Sequence, residues 1–460
     1  MMKRTVALIA VLALAGACKD STGVPDLNNV SSSLLQSGLN RSSVQLLATG
    51  LLRADRGNLG IVFPETMARD IYRIDTAEPR YITELIGGPA DPGGFAAGMW
   101  TGFFTEIRAA NNLIDNIGTA GDLSAAEKSA TVGLARTIKA LSYYRALEMR
   151  DSIGIPVDVD HDINSAPAPF VCKPNVLDYI LALLDSANTD LTSAGSTPFP
   201  FTLPGGFTYA GDYSTPAAFA KFNRGLAGKV ALYRGMDHSK PSAPSFATAI
   251  SDLNAAIGTL DPTALENSVY YVYSTAPGEA TNPIVDAAIH LNPAVGDSIM
   301  AGDARAVEIT KRSAPITGQG VTTGYDFTYA LPSIGANLTR PIPILANAEL
   351  VLLRAQAEIE AGDLAAATAD INFIHTNQGG LPAYATFATK TAAINAVLYE
   401  KRYSLLGQGA QRFVDLRAYG RLNGTYLRKE TPQDIFQSAL PVPAAEVNAR
   451  GGSIGTLTCK

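Results

Sequence analysis

Two stretches of the chain repeat one pattern about 120 residues apart, and that repetition limits the fold more than any other feature. The segment "GLAGKVALYRG", ending at Gly235, is followed after a loop by "ATAISDLNAAI", and "ELVLLRAQAEIEAG", ending at Gly362, is followed by "LAAATADINFI". In each, a helical pattern stops at a glycine suited to a left-handed C-cap, and a second Ala-rich helix follows. Ala249, Asp252, Leu253 and Asn254 of the first copy match Ala367, Asp370, Ile371 and Asn372 of the second. Small residues let two antiparallel helices approach closely, and Leu364, Ala367, Ile371 and Ile374 supply a buried stripe.

Such pairs have the look of tetratricopeptide-type helical hairpins, each needing a neighbour to cover its apolar face. Other helices are legible. Over 97–117, Trp100, Phe103, Ile107, Ala110, Ile114 and Ile117 fall on one face. Ser124 with Glu127 forms a capping box that starts a helix running to about Arg150, and "NVLDYILALLDSANTDL" over 175–191 is a third. Repeat hairpins are therefore expected at about 97–192, 216–259 and 346–420.

Between them, 58–95, 195–215 and 261–345 are rich in Gly, Pro, Thr and Tyr and lack helical periodicity. Loops that long are functional or disordered, and their aromatics argue for order. "SVYYVY" (268–273) and "YDFTYA" (325–330) have strand-like composition, which predicts short hairpins packed on a helical scaffold.

The chain begins with Lys3 and Arg4, an apolar run from Val6 to Ala17, and Cys18. That run has the shape of an export signal and is too short to span a bilayer. Ordinary cleavage after Ala15-Gly16-Ala17 would leave a free thiol; a lipoprotein signal over 1–17 would make Cys18 the acylated N-terminus, carrying diacylglycerol and a further acyl chain. The lipidated reading is preferred, because an odd free thiol is a liability in an oxidising compartment. Cys172 and Cys459 are then the two remaining cysteines, either disulfide-bonded or both free. Residues 18–33 are polar and read as a flexible tether, with a single domain over 34–460.

Charge excludes one partner class. The net charge is -6 with basic residues interspersed among acidic ones, so nucleic acid finds no basic stripe. No later segment has the apolar length of a membrane helix, which leaves the lipid as the expected membrane contact. Four histidines, His161, His238, His290 and His375, are far apart and read as surface or capping residues, and neither a metal site nor a cofactor motif is expected. An all-α glycoside hydrolase would need two carboxyl groups across a cleft, for which Glu65, Asp70 and Glu84 are the candidates.

Binding chemistry has more support. Sugars offer apolar faces to aromatic rings and hydroxyls to charged side chains. "MARDIYRID" (67–75) combines Arg69, Asp70, Tyr72 and Arg73, and Trp100, Tyr271 and Tyr325 are further ligand candidates. The alternative readings are an ion-paired surface helix end for the first stretch and a core position for Trp100.

Several segments together resemble the SusD/RagB nutrient-uptake lipoproteins of bacterial outer membranes. They are "ACKDSTGVPDLNN", "MWTGFFTEIRAANNLIDNI", "ARTIKALSYYRALEMRDSIGIPV", "AELVLLRAQAEIEAGDLAAATADINFIHTNQGGLP", "YEKRYSLLGQGAQRFVDLRAYGRL" and "LPVPAAEVNAR", in the family's order. Ser404 and Gln408 stand where acidic residues are usual. The resemblance implies a mainly α fold of tetratricopeptide-type hairpins in a right-handed superhelix. It also implies a buried network of Glu400, Arg402, Arg412 and Asp415 anchoring the C-terminal helices. The implied protein is not an enzyme: it is lipid-anchored on the outer membrane, exposed at the cell surface, and delivers oligosaccharides or peptides to a SusC-like TonB-dependent transporter. A helical-repeat scaffold for protein assembly is the rival expectation.

Overall fold

The computed structural model describes residues 38–53, 59–161, 164–237, 244–455 and 457. The signal segment, Cys18, the tether, His238 and Cys459 lie outside them.

The scaffold is a succession of helices. They are α1 (Arg41–Arg53), α2 (Leu59–Met67), α3 (Arg80–Thr83), α4 (Phe95–Asn116), α5 (Ala125–Arg150), α6 (Lys173–Ser193), α7 (Pro216–Gly235) and α8 (Pro244–Ile257). After a short α9 (Pro293–Ser298) follow α10 (Asn347–Ala361), α11 (Leu364–Asn377), α12 (Lys390–Ser404), α13 (Gln411–Ala418) and α14 (Ala444–Ala449). The run α4 to α8 continues through α8–α10 contact into α10, α11 and α12, so separate hairpins share one stack.

Local chemistry sets the boundaries. The Ser124 hydroxyl accepts from the Glu127 amide while the Glu127 carboxylate accepts from the Ser124 amide, so the capping box closes the start of α5. Thr215 caps α7 ahead of Pro216, and Asp363 caps α11. The two expected glycine stops differ. Gly362 follows α10 with φ 90°, a left-handed cap. Gly235 is the last residue of α7 and has no positive φ, so the expected cap is corrected there. Its value lies in contact: a Cβ at Gly235 would stand 2.6 Å from Phe246 Cε1, and one at Gly228 2.5 Å from Leu253 Cγ. Glycine lets α7 and α8 touch.

The segments expected to be irregular hold more structure than their composition suggested. Helix α2 occupies 59–67 despite Pro64. A four-stranded antiparallel sheet runs in the order β1 (Ile71–Arg73), β5 (Ile289–Leu291), β7 (Val321–Phe327), β6 (Ile309–Gly318). Its β6–β7 hairpin turns on Gln319 and Gly320, both at positive φ, as a two-residue turn matching strand twist requires. Two small pairs complete the strands: β2 (Ile155–Pro156) with β3 (Phe170–Val171), and β4 (Tyr270–Tyr271) with β8 (Ile342–Pro343). The "SVYYVY" stretch therefore pairs at long range, and "YDFTYA" ends β7 before a 3-10 turn.

One continuous apolar core underlies α1 to α8 and reaches the C-terminal segments, and a second lies among α10, α11 and α12. The chain end straps the beginning of the fold. The amides of Ile435, Leu440 and Ala444 donate to the carbonyls of Ile86, Met149 and Pro92 at 2.9, 2.8 and 3.0 Å. Among the described residues no helix is long and apolar enough to cross a membrane.

Candidate ligand-binding site

The stretch "MARDIYRID" is interior, which corrects the expectation that it faces a ligand. Strand β1 pairs with β5, and the C-terminal loop covers it. Tyr72 is 0% exposed; its hydroxyl donates to Glu430 and accepts from Asn292 Nδ2 at 2.7 Å. Burial and the Glu430 carboxylate push that phenol far above its usual range. Arg69, at φ 61°, donates to the Ile435 carbonyl at 3.0 Å and stacks 5.3 Å from the Phe436 ring centroid. Asp70 takes Arg402 Nε at 2.9 Å and Arg412 Nε at 3.1 Å. Arg73 is half-buried against Asp286 and Asp75.

The other ring candidates are placed as follows. Trp100, 6% exposed, lies between Phe104 and Phe170 with the Arg150 guanidinium 5.3 Å from its ring, so the core reading is the structural one. Tyr271 is buried with the Arg145 guanidinium 5.1 Å away. Tyr325 is half-buried: its ring lies where a Cβ on Gly296 would stand, and its hydroxyl donates to Asp297 at 2.7 Å. For the hydrolase reading, Glu65 and Asp70 are both buried, so they cannot line an open cleft.

Glu400, Arg402, Arg412 and Asp415 are gathered into three separate clusters. Glu400 pairs with Arg305 at 2.8 Å and His375 at 2.7 Å. Arg402 and Arg412 share Asp70, and burial lowers Arg412 to about 10. Asp415 pairs with Lys401 at 2.7 Å and accepts from the Tyr233 hydroxyl and Gln356 Nε2 at 2.7 and 2.8 Å. Two histidines expected at the surface are core residues: His375 sits on Glu400, and His290 on Asp326 at 2.6 Å. Cys172 is buried and disulfide-bonded, with its partner outside the described residues.

A cavity of about 580 Å³ opens elsewhere, where helix ends meet the sheet. That volume suits a small ligand. Segments distant in sequence build it. The Ser268 amide donates to the Ala210 carbonyl at 3.1 Å, holding the loop before α7 against the chain leading into β4. This sets the Tyr209 and Tyr270 rings 4.9 Å apart, with Tyr209 58% exposed. Val307, 72% exposed, is a second apolar lining residue. Asn282 Nδ2 fixes the Arg340 carbonyl at 2.7 Å. The Arg340 guanidinium reaches both Glu308 oxygens at 3.2 Å and stands 4.0 Å from the Tyr329 ring centroid.

At the α11 end, Gln378 Nε2 donates to Glu266 Oε1 at 2.8 Å, while Gln378 Oε1 is buried without a hydrogen-bond partner. The protein around Glu266 raises its carboxyl, with Arg340 pulling the other way. Burial likewise raises the Tyr270 and Tyr329 phenols, which stay protonated donors. The cavity thus offers apolar ring faces, guanidinium N–H donors, carboxylate acceptors and amides around one open space. None of Arg69, Asp70, Tyr72, Arg73, Trp100, Tyr271 or Tyr325 lines it. Its own residues fall mainly in 195–215 and 261–345, where tyrosines among polar residues were the available signal; Gln378 and Gln408 come from helix ends that offered none.

Stacked helical hairpins with an antiparallel sheet on one side and a ligand-sized cavity at the seam define a helical-repeat architecture with an open cavity where the repeats meet the sheet. This is the fold of SusD superfamily proteins. A SusD superfamily protein from Parabacteroides distasonis superposes with TM-score 0.67 at 14% identity, covering 92% of this chain and 98% of that one. A SusD-like protein from Bacteroides fragilis gives 0.66 at 15% identity, over 92% and 97%. Surface glycan-binding protein A from Bacteroides thetaiotaomicron, in complex with laminarihexaose, gives 0.66 at 12% identity, over 90% and 98%. No protein-family model matches the sequence, and no curated protein does.

Proposed function

We propose that this protein captures an oligosaccharide in the cavity at the helix–sheet seam, without chemical turnover. The observation that carries the reading is that the exposed Tyr209 ring and the Glu308–Arg340 pair line one cavity, a stacking face and a fixed polar group together. The likeness to a fold solved with laminarihexaose supports it. In this proposal Cys18 carries the lipid that holds the protein at the outer-membrane surface, and a TonB-dependent barrel receives the captured glycan.

A glycan and peptide array on the form lacking residues 1–18, followed by calorimetry on its hits, tests the reading. Tyr209→Ala removes an exposed ring, so binding of a hit glycan drops at least about tenfold, a ratio equal to about 1.4 kcal/mol, while the melting temperature holds. Peptide hits alone, or glycan binding unaffected by Tyr209→Ala, sink it. Mass spectrometry of the mature N-terminus tests acylation, and co-purification from membranes tests the barrel partner.

A further inference from the structure

The charge inventory of the cavity carries a statement about which glycans it admits, resting on the reading that this cavity is the ligand site. Its lining holds two basic residues, Arg305 and Arg340, and two acidic ones, Glu266 and Glu308. Neither cation is available to an incoming anion. Arg305 is buried, with Nε and Nη2 donating to Asp303 at 2.9 and 2.7 Å. Its Nη1 meets Glu400 at 2.8 Å and donates to Ser404 Oγ at 2.8 Å. Both carboxylates holding it have fully covered side chains. Arg340 is held by both oxygens of Glu308 and covered on one side by Tyr329.

Among the described residues Glu266 has no ion-pair partner within 4 Å; its hydrogen-bond donor is the neutral Gln378 amide, and the Arg340 field that favours its charge comes from a cation already held by Glu308. The cavity therefore carries an open negative charge and no unengaged positive one among the described residues. A uronate, sialate or sulfate group entering it would surrender water beside like charge, with every guanidinium already engaged. Hydroxyls meet no such penalty, since Glu266, Glu308 and the Gln378 carbonyl all accept from them.

We propose that the site selects glycans without negative charge, and that Glu266 and Glu308 set this specificity. Glu266 acts by direct repulsion. Glu308 acts by occupying the fork of Arg340, which is the more exposed of the two lining guanidinium groups and is shaped to grip a sugar carboxylate in two places.

The test is an array of laminarihexaose, maltohexaose, xylohexaose and galactan oligosaccharides beside oligogalacturonate, heparin oligosaccharides and sialylated glycans, read at low and high salt. Wild type is expected to bind only among the uncharged probes. The Glu266→Gln/Glu308→Gln double variant is expected to gain at least tenfold for an acidic probe at low salt and to lose that gain in high salt. Acidic probes bound by wild type and lost on Tyr209→Ala overturn the charge rule while leaving the site in place. A folded double variant, verified by circular dichroism, that gains nothing for acidic probes also overturns the rule. Binding of no glycan, or glycan binding that ignores Tyr209→Ala, overturns the site assignment and this inference with it.

Discussion

The Arg340 guanidinium stands 4.0 Å from the centroid of the Tyr329 ring while both its terminal nitrogens reach Glu308. Ring and carboxylate fix the guanidinium from two directions and Glu308 offsets its charge, so a sugar hydroxyl meets the remaining N–H donors already oriented. Arg340→Ala should weaken a hit glycan by about tenfold or more in calorimetry, within the range of hydrogen bonds to charged groups. Arg340→Lys should recover little, because an ammonium lacks the planar fork. Melting should change by no more than about 1 kcal/mol equivalent, since the pair is substantially exposed.

Asp415 is expected to matter for stability alone. It accepts from Lys401, Tyr233 and Gln356 in a buried cluster. Asp415→Ala leaves the Lys401 ammonium buried without its counter-charge and should cost about 3–5 kcal/mol in denaturant unfolding. Replacing both, as Asp415→Leu with Lys401→Met, should recover much of that loss, because the uncompensated charge goes with its partner.

Two glycines separate contact from backbone conformation. Gly228→Ala would place a Cβ 2.5 Å from Leu253 Cγ and 3.1 Å from the Ala249 carbonyl, so it should cost about 1–3 kcal/mol by forcing α7 from α8. Gly362→Ala meets nothing within 4 Å and should cost about 1–2 kcal/mol from its φ of 90° alone. Adding Leu253→Ala should soften the first penalty and leave the second unchanged, as a double-mutant cycle would record.

Glu358 supplies a pH signature. Burial first, then Asp370, pushes its carboxyl up to about 8, against the pull of Arg354. Its Oε2 is buried without a hydrogen-bond partner. A carboxyl raised above its unfolded value of about 4.3 stabilises the fold when protonated. Its contribution is complete below pH of about 4 and is lost as pH rises through about 8. Glu358→Gln imitates the protonated form. Melting curves of the two proteins should coincide near pH 4 and diverge toward pH 9, with the variant the more stable.

Cys172 is expected to be joined to Cys459. Leu457 reaches within 3.5 Å of where a Cβ on Gly154 would stand, and that position abuts the Val171 carbonyl, next to Cys172. Non-reducing peptide mapping should recover the 172–459 link, and Cys172→Ser should cost about 2–4 kcal/mol. Recovery of a Cys18–Cys172 link would refute both this pairing and lipidation.

The helical part of this fold was legible because its signals are local. Ser124 and Glu127 declare a helix start within four residues, and the stripe from Trp100 to Ile117 declares a buried face within a few turns. The sheet was not legible as a sheet, since Ile71 meets Leu291 and Leu291 meets Tyr325 across long intervals that no local period encodes. The unforeseen burial of the Arg69 to Tyr72 stretch has the same origin. Arg69 to Arg73 have the composition of a sugar site, but composition does not reveal that residues 430–436 cover them. The cavity draws Tyr209, Glu266, Glu308, Arg340 and Gln378 from five separate places, so it exists only after the chain has folded.

The late strap also has a temporal meaning. Ile86, Pro92 and Met149 lend their carbonyls to amides that synthesis from the amino end supplies about 290 to 350 residues later. Until then those oxygens face water, and the opening helices lack their closing seam. Closure of this seam therefore waits until residues 435–444 have been made, well after the segments that they fasten.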